Sequence, residues 1–415
     1  MGELRALSSD PASEDRTADA TAPAPAWHSR AGLLTAGYYA AVFAVLGAYL
    51  PFWPVWLAEQ GLGVAEIGSI VSAALLLRLV TVPALTALAD RFALRRAMLA
   101  GAGFVSAALF LVHLGAEGQG ALLALGLALT FSFSLMVPLG EALGLRASGR
   151  FGFAYAQARA AGSIAFLLAN IAMGWAMAAF GADALIWVLA AGCVLAGAIG
   201  ALHPGGGAPR GSGVAGAGMD RAGFREGFAL LGDRRLLLFA LAAGLGQSSH
   251  AVYFLFASLD WADQGISAET VGMLWAAGVV AETVLMLGPG GRWLRRLGAP
   301  GAIALGAAAA ALRWVAMAFE PALWALWPLQ ALHALTFALS HLGIMAFAAA
   351  AIPDRLQASG QGVLLGLTQG VMLALATFAA GLVEGALGRE GAWLMAAGMA
   401  AAGAALALWL RPDRG

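Results

Sequence analysis

Apolar runs long enough to cross a hydrocarbon layer about 30 Å thick recur from residue 32 almost to the C-terminus. They are expected at roughly 32–57, 66–88, 97–115, 121–145, 154–180, 183–202, 235–259, 268–288, 300–319, 322–351, 358–386 and 392–410. A chain so written has few folds open to it, because a bilayer-spanning backbone must satisfy its own hydrogen bonds and runs of this length do so as helices. Composition agrees: 61% of residues are hydrophobic and 11% charged, against about 45–50% and 25% in soluble proteins, and the mean hydropathy is +0.81. A soluble enzyme, a nucleic-acid binder and a disordered scaffold are excluded together. The expected fold is an all-α polytopic membrane protein with twelve transmembrane helices. Residues 1–31, rich in Ala, Ser, Asp and Pro, lack the apolar core of a signal peptide and read as a disordered tail.

The basic residues orient the spans. The chain contains no lysine, so all 23 cations are arginines. With both termini cytoplasmic, nineteen of the 23 fall on the inner side, including Arg91, Arg95 and Arg96 between spans 2 and 3, and Arg292, Arg295 and Arg296 between spans 8 and 9. The outer loops carry Glu59, Glu66, Glu117, Asp260, Asp263 and Glu269, with Arg389 their one arginine. That asymmetry is the positive-inside pattern.

The longest interruption divides the chain into halves of six spans: 32–203, a cytoplasmic linker at 204–234, and 235–411. Within the linker, Met219 to Phe228 reads as a short amphipathic helix on the membrane surface. The halves echo each other. Glu59-Gln60-Gly61, Ala65-Glu66 and Gly68 are matched by Asp263-Gln264-Gly265, Ala268-Glu269 and Gly272, and Arg95-Arg96 by Arg295-Arg296. Two pseudo-symmetric six-helix bundles are the plan of the major facilitator transporters, whose substrate site lies at the midplane between the halves.

Five charges stand out as lying deep within the spans rather than at their ends: Arg78, Glu141, Arg159, Glu282 and Arg313. At about 2.5–3.5 kcal/mol each near a helix centre, they cost on the order of 12–17 kcal/mol together. They either lock helices as buried pairs or line an aqueous path. Glu141 and Arg159 sit on opposite arms of one short hairpin at matching depth, which predicts an ion pair. Glu282 follows Gly272 by ten residues and Arg78 follows Gly68 by ten, placing opposite charges at equivalent sites. Arg313 is the expected partner of Glu282.

His333, Phe337 and His341 recur every four residues and share a helical stripe on span 10. Span 7 brings Gln247 and His250 one turn apart. Imidazoles titrate near neutrality and suit a proton path, although each alone reads equally as a histidine bonded to a carbonyl. No carboxylate or cysteine shares the stripe at metal-ligand spacing. On span 1, Pro51 and Pro54 are expected to break the helical ladder, and Trp53 and Trp56 to sit in an interfacial aromatic belt. Tyr38 and Tyr39 lie deeper, with one of them expected at a substrate cavity. The single cysteine, Cys193, excludes an intrachain disulfide.

Tyr38-Tyr39, Gly47-Ala48-Tyr49-Leu50-Pro51-Phe52-Trp53, Val137-Pro138-Leu139-Gly140-Glu141 and Tyr155-Ala156-Gln157-Ala158-Arg159 resemble the oligosaccharide/nucleoside proton-symporter branch of the major facilitators. Leu332-His333-Ala334-Leu335-Thr336-Phe337 and His341-Leu342-Gly343 most resemble its phenylpropionate permease group. Similarity to the galactoside permease of the branch implies that Glu141 and Arg159 bind substrate, and that Glu282, Arg313 and His333 couple it to protons. Thr336 replaces a carboxylate of that pattern and Phe166 a sugar-stacking tryptophan, which speaks against galactosides. The facilitator loop motif keeps Asp90, Arg91, Arg95 and Arg96 but has Thr86 and Ala93 where glycines are expected.

The resemblance therefore implies a proton-driven symporter for a small aromatic carboxylate, in a bacterial inner membrane. Its same-class rivals are a sugar or nucleoside symporter and a proton-driven exporter of lipids or drugs. Tyr38, Tyr39, Glu141, Arg159, Phe166, Gln247 and His250 are the expected substrate residues; Glu282, Arg313 and His333 the proton residues; Arg78, Asp90, Arg91, Arg95 and Arg96 gating or structural charges. No cofactor, metal or nucleic acid is expected. The proton gradient supplies the energy, and the partners are lipid, substrate and protons, with the chain a monomer. A membrane-embedded enzyme would need a nucleophile–base pair or metal ligands at helical spacing, and none stands out.

Overall fold

A computed structural model describes residues 28–206 and 226–410, almost all of them helical, with no strand among the described residues. Ten helical stretches follow in order: α1 (Arg30–Glu59), α2 (Val64–Arg91), α3 (Arg95–His113), α4 (Gly118–Phe151), α5 (Tyr155–Phe180), α6 (Ala184–Ala201), α7 (Arg234–Asp263), α8 (Ala268–Leu287), α9 (Gly290–Ala318) and α10 (Leu323–Ala351). An eleventh, Ser359–Leu408, is 50 residues long and turns at Gly388. Gly388 has φ 71°, a left-handed conformation that glycine alone adopts at no steric cost, and it splits the stretch into α11 (359–387) and α12 (389–408). The twelve spans are those expected. Most of the tail and most of the linker lie outside the described residues, and of the Met219–Phe228 segment only 226–228 is described, as helix.

Three local expectations are corrected. α1 runs unbroken through Pro51 and Pro54, because burial of Pro51, Phe52, Trp53 and Pro54 holds a turn that two prolines would weaken alone. Trp53 and Trp56 are not interfacial: both are buried, stacked at 5.3 Å, and edge-on to buried His113, with the Trp56 indole N–H donated to Asp183 at 3.0 Å. α9 begins earlier than expected, because the arginine loop before it is itself a helical turn joined at Gly298 (φ 68°).

Backbones approach closely where small residues meet. A Cβ at Gly103 on α3 would lie 2.6 Å from the Gly197 Cα on α6, a packing mode that membranes favour because lipid supplies no hydrophobic drive between helices. The two halves join through α1 with α7, α2 with α11 and α5 with α8. One apolar core runs through both halves: it joins them toward the face away from the termini, from Trp53 and Ile67 to Leu255, Trp261 and Trp393, and within the first half it reaches down to Leu99 and Leu143. Toward the terminal face it separates. Ala31, Ala147 and Phe153 form a small core in the first half, and Leu236, Phe239, Phe347 and Leu410 another in the second. Among the described residues the halves thus share a core on one face, which we call sealed, and hold separate cores on the other, which we call parted.

Candidate substrate and proton site

Two charged clusters border the parting, one in each half. In the first half, the α4–α5 hairpin brings Glu141 and Arg159 together as expected: Arg159 Nε donates to Glu141 Oε1 at 2.9 Å. The other carboxylate oxygen accepts from Tyr39 at 3.2 Å and from Tyr155. The Arg159 guanidinium stacks 3.9 Å from the Phe43 ring centroid. Both charged side chains keep about a third of their exposure, 32% for Glu141 and 28% for Arg159, so the pair faces open space. Tyr155 was not anticipated as a site residue, although it lies one turn before Arg159 and shares its face.

The second cluster runs from α8 to α9 through α10. Arg313 is fully buried and does not pair with Glu282 as expected. His333 stands between them, its Nδ1 3.2 Å from Arg313 Nη1 and its Nε2 3.4 Å from Glu282 Oε2. A guanidinium can only donate, so Nδ1 accepts and the imidazole hydrogen sits on Nε2, facing the carboxylate. Arg313 Nη2 also donates to Gln330 Oε1 at 2.6 Å, and its guanidinium lies over the Tyr253 and Trp314 rings. Among the described residues no carboxylate pairs with it directly. The stripe of His333, Phe337 and His341 forms a stack, with rings 5.2 and 6.3 Å apart. It does so where α10 widens into a π-helical stretch at Ala334–Leu339, an irregularity that frequently marks functional sites.

Other expected substrate residues are elsewhere. Tyr38 is buried, its hydroxyl donated to the Met136 carbonyl at 2.7 Å, so of the tyrosine pair only Tyr39 reaches the site. His250 is wholly inside the second half, bonded to the Gln247 carbonyl at 3.1 Å and to Thr336 Oγ1 at 3.1 Å. Gln247 is buried on the same turn. His250 belongs to the packing that holds α7 against α10, at the point where the α7 helix is interrupted at Ser249, and Gln247 takes part there through its backbone carbonyl. Phe166 is half-buried, its backbone against Gly47 of α1. Of the loop charges, Asp90 and Arg95 form an ion pair, Arg91 lies over Phe92, and Arg96 packs beside Gly206. Arg78 is exposed on α2.

Twelve helices in two repeats around a charged central parting define a secondary transporter of the major facilitator class. The comparisons agree. The model of the MFS_1 like family matches residues 34–394, and the chain belongs to that family. It is 31% identical over 370 residues to the "Probable 3-phenylpropionic acid transporter" of Escherichia coli (strain K12), covering 88% of this chain and 93% of that protein. Its fold is similar to the crystal structure of the nucleoside transporter NupG, with TM-score 0.78, 17% identity, and 92% and 99% of the two chains covered. It is also similar to a bacterial homologue of the human lysosomal transporter Spinster, described as inward-facing and unoccupied, with TM-score 0.67, 15% identity, and 91% and 93% covered. The protein is an integral membrane transporter and not an enzyme.

Proposed function

We propose that the protein is a proton-coupled uptake permease for a small aromatic carboxylate, working by rocking of its two halves in a bacterial inner membrane with both termini cytoplasmic. The observation that carries this reading is the Glu282–His333–Arg313 chain at the edge of the parting. Glu282 is its one exposed end, with 23% of its side chain accessible against 11% for His333. When Glu282 is ionised, its negative charge lies 3.4 Å from His333 Nε2 and attracts the hydrogen on that nitrogen, an attraction that holds α8 to α10. Protonation removes that charge and loosens α8 from α10. The same α8 closes the far face, with Gly272 against the Asn170 carbonyl of α5. A proton taken at Glu282 therefore acts on the helix that seals the molecule, a local charge event biasing a two-state element.

The polar end of the site in the first half is Arg159 with Glu141, and the arginine-rich terminal face supports the cytoplasmic placement of the termini. The aromatic-carboxylate assignment draws on the Escherichia coli relative. The test is Glu282→Gln in reconstituted vesicles under an imposed proton gradient, with labelled 3-phenylpropionate. Uphill accumulation is expected to vanish while exchange of internal for external solute persists. Accumulation equal to the unaltered protein would remove Glu282 from the mechanism, and efflux in place of uptake would favour an exporter.

A further inference from the structure

Arg78 lacks what the other two intramembrane arginines have. Arg159 is held by Glu141 and Phe43, and Arg313 by Gln330 and His333. Arg78, among the described residues, makes no hydrogen bond or ion pair, and it is exposed.

The direction of that exposure follows from its neighbours on α2. Ser72 donates to the Ala374 carbonyl of α11 at 2.9 Å, Gly68 lies against Thr377, and Leu79 meets Gly370, so one stripe of α2 faces α11. Ile70, on another side, lies against Gly126 of α4. Leu76 and Val80, 41% and 69% exposed, mark the lipid side. Arg78 is two residues from each, and at about 100° per residue it projects about 200° away from them. That side lies between the contacts with α11 and α4, and it faces the axis between the halves.

Pseudo-symmetry says the same. Gly68 packs on α11 as Gly272 packs on α5, each at a seam between halves. Ten residues on from these points stand Arg78 and Glu282, at equal depth and equal helical phase. The parting thus has a cationic wall on α2 and an anionic wall on α8. A lone guanidinium at this depth is costly and is kept where it meets a charged partner.

We infer that Arg78 is the anchor for the carboxylate of an anionic substrate, a monocarboxylate with an apolar body. This rests on the proposed uptake of an aromatic carboxylate and goes beyond it by naming the residue that takes the charge. To bind the same carboxylate, Arg159 would have to give up Glu141, whereas Arg78 gives up only water. The charges also balance. Beside the internally paired Glu141 and Arg159 and the buried, unchanging charge of Arg313, the facing walls of the empty parting hold one plus on Arg78 and one minus on Glu282; a bound carboxylate neutralises the first and a proton the second. Both walls lose their charge together only when anion and proton are both aboard, so the carrier moves electroneutrally.

The test is binding of 3-phenylpropionate and of its uncharged amide to the purified full-length protein, measured calorimetrically for the unaltered chain, Arg78→Gln and Arg78→Lys. Arg78→Gln is expected to weaken the carboxylate by about 30-fold or more while leaving the amide within a few fold. Arg78→Lys, which keeps the charge but not the planar fork, should recover part of the loss. Thermal unfolding of each variant shows whether it is folded. Carboxylate affinity unchanged in folded Arg78→Gln, or equal losses for carboxylate and amide, would overturn the inference and leave the uptake reading standing. If the unaltered protein binds neither probe but carries a neutral nucleoside or sugar in vesicles, both fall.

Discussion

The seal on the far face is a packing event, and its strength can be read from Gly272. A Cβ added there would lie 3.1 Å from the Asn170 carbonyl carbon, closer still to its oxygen, and 3.3 Å from the Ile171 Cα. All three are backbone atoms of α5, so no side chain can rotate away and Gly272→Ala is relieved only by moving α8 off α5. Overpacking of this kind costs about 1–3 kcal/mol. The cost falls on the conformation in which the halves meet here and not on one in which they have parted. The equilibrium should move toward the far-open state by roughly 5- to 150-fold. Thr377 on α11, 3% exposed and facing Gly68, reports it well. Cys193 is buried and is the chain's one cysteine, so a Thr377→Cys background gives a single site whose reaction with a polar maleimide is limited by opening. Adding Gly272→Ala should speed labelling by that factor, with the thermal midpoint showing the protein still folded. An unchanged rate in folded protein would mean that this contact does not hold the face shut, and the packing argument would fail with it.

Three further outcomes can be checked. Asp260 ties α12 to α7, accepting from Trp393 Nε1 at 2.6 Å and pairing with Arg389 at 3.1 Å; Asp260→Leu should lower stability by about 2–4 kcal/mol, read as a fall in the unfolding midpoint in detergent. Thr336→Val leaves buried His250 Nε2 unpartnered and should cost about 1–3 kcal/mol, while substrate KM stays within about twofold because His250 is packing and not lining. His203, just past α6, is buried with Gly205 N–H donated to its Nδ1 at 3.2 Å, and burial pushes its pKa down to about 4. The unfolded chain therefore binds the proton first. The stability from this residue, on the order of 3 kcal/mol, is present above about pH 6.5 and is lost as pH falls toward 4. His203→Gln should melt with a shallower pH dependence over that window, and an identical slope would refute it.

Much of the site was legible because its signals are local. Glu141 and Arg159 flank one short hairpin, so their depth and pairing followed from helix rise alone. The stack of His333, Phe337 and His341 followed from spacing. What failed were judgements about rotation and partner. Arg313 was matched to Glu282 by charge, but the helices place His333 between them. Gln247 and His250 had the right residue types on the right span and face inward, because a histidine's role depends on which side of its helix the neighbours cover. Trp53 and Trp56 carried an interfacial signature that His113 and Asp183, distant in sequence, converted into a buried cluster.

The amino-acid sequence by itself determined the twelve spans, the twofold repeat, the sidedness of the arginines and the existence of costly charges within the bilayer. Each depends on hydropathy, period or count along a single helix. Only the tertiary structure decided which charges are spent on each other and which, like Arg78, have no partner among the described residues, and on which face the halves share a core. Those outcomes depend on how helices far apart in the chain are rotated and pressed together, at contacts such as Gly272 on Asn170, where a single methyl group is enough to change the answer.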